Sequence, residues 1–139
     1  MEDELIKEIL KTSKSIASVG VSSNPDKDSY GVAYYLRYVG YKVFPVNPTA
    51  NQIFGETVYP ELSALPEKVD VVQIFRPASE VPPIVEEAIK IGAKVVWMQI
   101  GTWNLEAAEI AWAAGLKVVM NRCMRTEHFR LIGLQVLNK

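Results

Sequence analysis

Gly20-Val21-Ser22-Ser23-Asn24-Pro25 follows directly on the short apolar run Ile16-Ala17-Ser18-Val19, and helical spacing opens near Ser29-Tyr30-Gly31. A strand that turns at once into a helix aims backbone N–H groups outward, where the positive end of the helix dipole can meet an anion. This turn carries hydroxyls, an amide and the cation Lys27, but no G-x-G-x-x-G. Its chemistry is recognition of phosphate or ribose, which suggests a nucleotide-type ligand and weakens the case for an ordinary NAD enzyme. The same residues admit a plainer reading. Ser22, Ser23 and Asn24 are turn formers ahead of Pro25, Ser29 is a helix N-cap, and Lys27 is a solvated lysine.

The elements that must position this turn follow from hydrophobic spacing. Leu5, Ile6, Ile9 and Leu10 stripe a leading helix that ends around Thr12-Ser13. Val32, Tyr35, Leu36 and Val39 mark the helix after the turn, with Gly40 as its stop. Lys42–Val46 is a second strand, with Pro45 near its end or at an irregular pairing. Asn47-Pro48 begins a long connection that holds a brief helical turn near Glu61–Leu65. Val69–Phe75 reads as the third strand, ended by Arg76-Pro77. Val81, Ile84, Val85, Ala88 and Ile89 then give an amphipathic helix whose first turn accepts Pro82-Pro83. Lys94–Gln99 is the fourth strand, Asn104 caps a helix through Ala114, and Leu116–Met120 is the fifth. The tail from Arg122 is ambiguous, with Thr126 as a candidate cap for a last short helix.

Strands alternating with helices through short loops predict an α/β, Rossmann-like, doubly wound fold. Its sheet is five-stranded and mainly parallel, with helices on both faces and one domain over residues 1–139. Ligands of such sheets bind beyond the carboxyl ends of the strands, at the switch in strand order. The loops gathered there supply Ser22, Ser23, Asn24, Lys27, Ser29, Asn47, Arg76, Gln99 and Arg122, a donor-rich set with few acids. An NAD site needs an acid at the end of the second strand, roughly 20 residues past the glycine turn. Here that end reads Val46-Asn47-Pro48-Thr49, with neither an acid nor an arginine. A nucleotide without a free ribose diol fits better, and coenzyme A, with a diphosphate and a ribose 3′-phosphate, is one.

Composition bounds the rest. The chain has 139 residues, 49% hydrophobic and 22% charged, enough for a real core. A formal net charge of −1 gives no electrostatic reason to expect nucleic acid. One Cys and one His cannot build a structural zinc site or a disulfide framework. Met1-Glu2-Asp3-Glu4 is no secretory leader and no apolar run spans a membrane, so a cytoplasmic protein is expected.

Several of these residues also carry a resemblance. Gly20-Val-Ser-Ser-Asn-Pro, Val46-Asn47-Pro48, Phe75-Arg76, Gly92-Ala93-Lys94 with Val96-Trp97-Met98-Gln99, and Asn121-Arg122-Cys123 with Glu127-His128 resemble the small stand-alone CoA-binding domain proteins. These are similar to the N-terminal domain of the succinyl-CoA synthetase α subunit and of ADP-forming acyl-CoA synthetases. The likeness runs from about Ser15 to His128. It implies a Rossmann-type fold binding coenzyme A or an acyl-CoA, with Gly20, Val21, Ser22, Ser23, Asn24, Lys27, Ser29 and Tyr30 in the first turn. The further implied contacts are Val46, Asn47, Pro48, Phe75, Arg76, Gln99, Gly101, Arg122 and Cys123. The phosphorylated histidine of the synthetases lies in a following domain that this chain lacks, so binding without catalysis is the expectation. A protein partner or a homo-oligomer is compatible with it.

Individual residues keep two readings. Arg76 emerges at the ligand edge, whereas Arg122 has Glu127 nearby and can simply pair with it. Phe75 and Trp97 suit the sheet core, while Trp103 can cover an adenine or a partner subunit. Cys123 is either a small buried hydrophobe or a thiol that forms a reversible disulfide with CoA. The competing functions are a nicotinamide- or other nucleotide-binding sensor, and a small hydrolase. The second rests on Ser22, Asp70 and His128, whose chain order matches a hydrolase triad, but Asp70 opens its strand at the wrong edge.

Overall fold

The computed structural model describes residues 2–133. Helix α1 (Glu2–Thr12) leads into β1 (Ser15–Val19), followed by α2 (Asp28–Tyr38) and β2 (Lys42–Val46). A hairpin of β3 (Gln52–Ile53) and β4 (Glu56–Thr57) and a single 3-10 turn at Leu62–Ala64 fill the long connection. Then come β5 (Val71–Ile74), α3 (Val81–Lys90), β6 (Val95–Met98), α4 (Leu105–Ala113), β7 (Lys117–Met120) and α5 (Met124–Leu131).

The main sheet has the order β2-β1-β5-β6-β7, every neighbouring pair parallel. Chain order reverses between β1 and β5, so the switch point lies beyond Val19 and Ile74. All five residues of β1 are buried because the sheet is covered on both faces. On one face Ala17, Val72, Ile74 and Val96 pack with Val81, Val85, Ala107 and Ala111 of α3 and α4. On the other, Ile16, Val71, Val95 and Trp97 pack with Ile9, Val32, Leu36 and Met124 of α1, α2 and α5. The Rossmann-like architecture read from the sequence is the one observed.

Three local readings are corrected. The tail forms α5 with Cys123 at its N-cap, and Thr126 lies inside the helix. Lys27, not Ser29, occupies the N-cap of α2. The third strand is confined to Val71–Ile74, because Val69 and Phe75 already belong to the connections. Pro45 sits within edge strand β2. Its carbonyl accepts the Tyr59 N–H (3.0 Å), so that residue's nitrogen also faces outward and no ladder bond to β1 is forfeited.

A polar seam crosses the apolar interior beneath the carboxyl edge. Ser18 Oγ donates to Gln73 Oε1 (2.5 Å), Gln73 Nε2 donates to Gln99 Oε1 (3.1 Å), and Gln99 Oε1 also accepts the Met124 N–H (2.9 Å). Ser18 and Gln73 are wholly buried and Gln99 nearly so. Such groups are tolerated only when bonded, and among the described residues no buried side-chain N or O lacks a partner. Ser18→Ala deprives Gln73 Oε1 of its donor and is expected to cost about 1–3 kcal/mol in urea unfolding. A loss below about 0.5 kcal/mol would show that the seam does not stabilise the sheet.

Candidate functional site

The first turn leaves the sheet through Gly20, whose φ is +89° and whose N–H donates to the Val46 carbonyl (2.8 Å). A Cβ at this position would stand 2.7 Å from Cδ of Arg76. Glycine is therefore required twice over, for its backbone conformation and for the arginine stem lying across it. Phe75, half-buried, donates its N–H to the Val19 carbonyl (2.9 Å) and holds the end of β5 beside this turn.

Within the turn, Ser29 Oγ accepts the Ser22 N–H (3.0 Å), Ser22 Oγ accepts the Asn24 N–H (3.0 Å), and Asn24 Oδ1 accepts the Asp26 N–H (2.9 Å). The side chains of Ser22, Asn24 and Ser29 thus shape the loop, as turn formers do. Ser23 and Lys27 are left exposed above it. No side chain caps α2, so its positive end is not compensated by a capping oxygen. Val21 is buried, and its carbonyl accepts from Asn47 Nδ2 (2.9 Å). Asn47 Oδ1 accepts from the Thr49 N–H and hydroxyl (2.9 and 2.8 Å), so the end of β2 is tied to the first turn. Val46 is buried and Pro48 exposed beside it. Tyr30 packs its ring on Phe54 of the hairpin, 4.8 Å between centroids.

The opposite wall comes from the ends of β6 and β7. Gly101 donates its N–H to Asn121 Oδ1 (3.1 Å), and Asn121 holds a left-handed φ of 61°. Gln99 faces inward, its carbonyl spent on the seam rather than offered to solvent. Ile100, Trp103 and Leu105 are exposed around this loop. Two arginines of this edge, Arg76 and Arg122, are engaged within the chain. Arg76 grips Glu80 with two hydrogen bonds (3.0 and 3.1 Å), and Arg122 reaches Glu2 (2.7 Å) and Glu127 (3.4 Å).

Cys123 caps α5. Burial pushes its thiol pKa up, but the neighbouring Thr126 N–H, Gln99 side chain, Thr126 hydroxyl and Arg125 N–H favour the thiolate and outweigh it, and the net direction is down. A helix N-terminus beside a half-buried sulfur favours the thiolate, the nucleophilic form.

Sequence reasoning passed over the Gly31–Arg125 contact. Arg125 crosses from α5 to α2, where a Cβ on Gly31 would lie 3.1 Å from its Nη1. Glycine inside a helix costs about 1 kcal/mol against alanine, and that cost was the available signal.

The hydrolase constellation does not assemble. Asp70 sits at the amino edge, where its carboxylate accepts the Lys14 N–H (2.7 Å) and the Ser15 N–H (3.3 Å). His128 is buried, its Nδ1 bonded to the Tyr35 hydroxyl (2.9 Å) and its ring met edge-on by Tyr35 and Tyr41. A cavity of about 750 Å³ lies away from the switch point along the outer side of β2, between Tyr34, Tyr38, Tyr59 and Glu56. That groove offers no helix N-terminus, and its Arg37 and Glu56 pair with each other (2.6 Å), so the donor chemistry stays at the carboxyl edge. Among the described residues no cluster of three or more His, Cys, Asp or Glu could hold a metal ion, and no helix is long and apolar enough to cross a membrane.

Residues 14–129, the whole run from β1 into α5, match the family described as CoA binding domain. The chain belongs to that family. This CoA binding domain is 37% identical over 123 residues to "Uncharacterized protein YneT" of Bacillus subtilis, covering 88% of this chain and 91% of that protein. A solved structure, "hypothetical protein from Pyrococcus horikoshii OT3", superposes with a TM-score of 0.93 at 47% identity, covering 96% of this chain and 94% of that one. The domain is also homologous to part of the ADP-forming acetate–CoA ligase of Methanocaldococcus jannaschii. There it is 28% identical over 119 residues, which are 80% of this chain but only 17% of the ligase.

His128, the only histidine of the chain, yields a pH prediction. Burial holds the imidazole neutral and its pKa below the ordinary 6.5. The unfolded chain takes up a proton that the folded chain refuses, so stability rises with pH here and is lost as pH falls through the unfolded value. Melting temperatures between pH 7.5 and 5 are expected to fall for the natural chain and to fall less for His128→Gln. Parallel curves would contradict the assignment.

Proposed function

We propose that this chain binds coenzyme A, free or acylated, at the carboxyl edge of its sheet and performs no reaction of its own. The observation that carries the reading is the match of residues 14–129 to the CoA binding domain family. The local chemistry fits the group. The uncapped start of α2, the exposed Ser23 and Lys27, and the close approach permitted at Gly20 suit a diphosphate. The end of β2 presents Asn47, whose amide is already bonded to Val21 and Thr49, and no carboxylate for a ribose diol. In this reading the contacts come from Gly20, Val21, Ser22, Ser23, Asn24, Lys27, Ser29 and Tyr30, with Val46, Asn47 and Pro48 below. Phe75, Arg76, Gln99, Gly101, Arg122 and Cys123 line the facing side. Arg76 and Arg122 would exchange a carboxylate for a phosphate, whereas Gln99 acts from beneath through its neighbours.

Coenzyme A supplies a thiol at the end of a long arm, and Cys123 lies on the same edge. In the finer reading the Cys123 thiolate attacks one sulfur of CoA disulfide. A protein–CoA disulfide forms, the S–S bond of the reagent breaks, and one CoA leaves as thiolate, with no other oxidant consumed.

Saturating coenzyme A, at about 100 times its Kd, is expected to stabilise the protein by about 2.7 kcal/mol. For a chain of this size that is a melting shift of about 8 °C, with little change from NAD, NADP or ATP. Equal shifts for CoA and NAD would reject the preference and favour a nicotinamide-nucleotide sensor. Incubation with CoA disulfide is expected to add one CoA to the unreduced protein by mass spectrometry. The adduct is lost with dithiothreitol and absent in Cys123→Ser; no adduct on Cys123 would end the thiol reading.

A further inference from the structure

We propose that Arg125 is a phosphate-contacting, specificity-determining residue of this site, an inference that rests on the coenzyme A reading above. The argument begins with charge. Every other arginine has a carboxylate partner: Arg37 with Glu56, Arg76 with Glu80, Arg122 with Glu2 and Glu127, and Arg130 with Asp3 and Glu127. Arg125 alone has none among the described residues, although it is half-buried.

Its position sharpens the point. Arg125 is the second residue of α5, and its Nη1 lies against Gly31, the fourth residue of α2. The guanidinium thus lies beside the first turn of α2 while its backbone belongs to the first turn of α5, and neither N-cap residue, Lys27 or Cys123, makes a side-chain capping hydrogen bond. Lys27, at the start of α2, adds a further cation. The acids of the same turn, Asp26 and Asp28, are exposed and pair with neither cation. Gly31 keeps open the channel through which the arginine reaches across, since any side chain there would press on Nη1.

A guanidinium that joins the first turns of two helices without a carboxylate partner is stabilised by an incoming anion, and a phosphate oxygen pair matches its planar fork. Coenzyme A offers two such groups, the diphosphate and the ribose 3′-phosphate. The shared chemistry is a phosphate, and the ligand series tells the two apart.

The test is calorimetric titration of the full chain and of Arg125→Gln with coenzyme A and with 3′-dephospho-CoA. Arg125→Gln is expected to bind coenzyme A at least about tenfold more weakly while its melting temperature without ligand is unchanged. Arg125→Lys is expected to recover part of the loss, because it keeps the charge without the fork. If the loss persists with 3′-dephospho-CoA, the partner is the diphosphate; if it disappears, the partner is the 3′-phosphate. Unchanged coenzyme A affinity in Arg125→Gln overturns this inference and leaves the proposed function standing. Failure of the natural chain to bind coenzyme A at all overturns both.

Discussion

The carboxyl edge of this sheet depends on one hydrogen-bonded line, Ser18 to Gln73 to Gln99 to the Met124 N–H. Its direction is dictated from one end. Met124 can only donate, so Gln99 Oε1 must be the acceptor, and that choice orients Gln73 and then Ser18. Amides aligned head to tail in a dry interior polarise one another and resist being taken apart singly. The line joins β1, β5, β6 and the start of α5, each close to where its chain leaves for the crevice. Ser18 lies just before Gly20, Gln73 just before Phe75, and Met124 follows Cys123 directly. An apolar core would have held these strands together equally well. It would not have specified how far each loop stands from its neighbour.

Above that line, electrostatics is arranged locally and not by an overall field. With a formal net charge of −1 the chain gains nothing from long-range attraction of anions. Arg122 and Arg130 share the buried Glu127 and extend to Glu2 and Asp3, which fastens the acidic first turn of α1 to α5. Exposed pairs of this kind contribute little singly, but a network that shares one buried carboxylate holds two helices in a fixed relation. In the proposed function, anion recognition falls to backbone N–H groups and to the cations that no acid has claimed.

Much of this was legible in the sequence. Short β-branched runs separated by helical periodicity specified a parallel sheet, because a strand buried on both faces has to be apolar throughout. Asn104, Gly92 and Pro82-Pro83 marked helix ends through their own backbone chemistry. The β3–β4 hairpin was not legible. Its turn puts Phe54 at a φ of 59° beside Gly55, and phenylalanine carries none of the local preference of Asn or Asp for that conformation. The start of α5 was misplaced for a related reason, since cysteine is not a residue type that N-cap positions are read from. Gln99 was read both as the end of its strand and as the start of the next loop; the strand stops at Met98, and a sequence cannot show whether a glutamine turns to solvent or inward. Arg122 was read as able to pair with Glu127, but its bond to Glu2 was not legible and Arg125 was not singled out, because pairing across the fold is a property of tertiary placement.

Pro45 and Tyr59 give the border of the sheet a different meaning. Exposed strand borders are where β proteins recruit copies of themselves, since unpaired main-chain groups accept any extended segment. Along β2 the imide nitrogen has no hydrogen to give, and the carbonyl beside it is already taken by Tyr59. A newcomer sliding along that rim finds a gap in its ladder one residue before the strand ends. Resistance to fibril-like stacking on this flank is thus provided by one ring closure and one borrowed amide, without any charged gatekeeper within the strand's buried half.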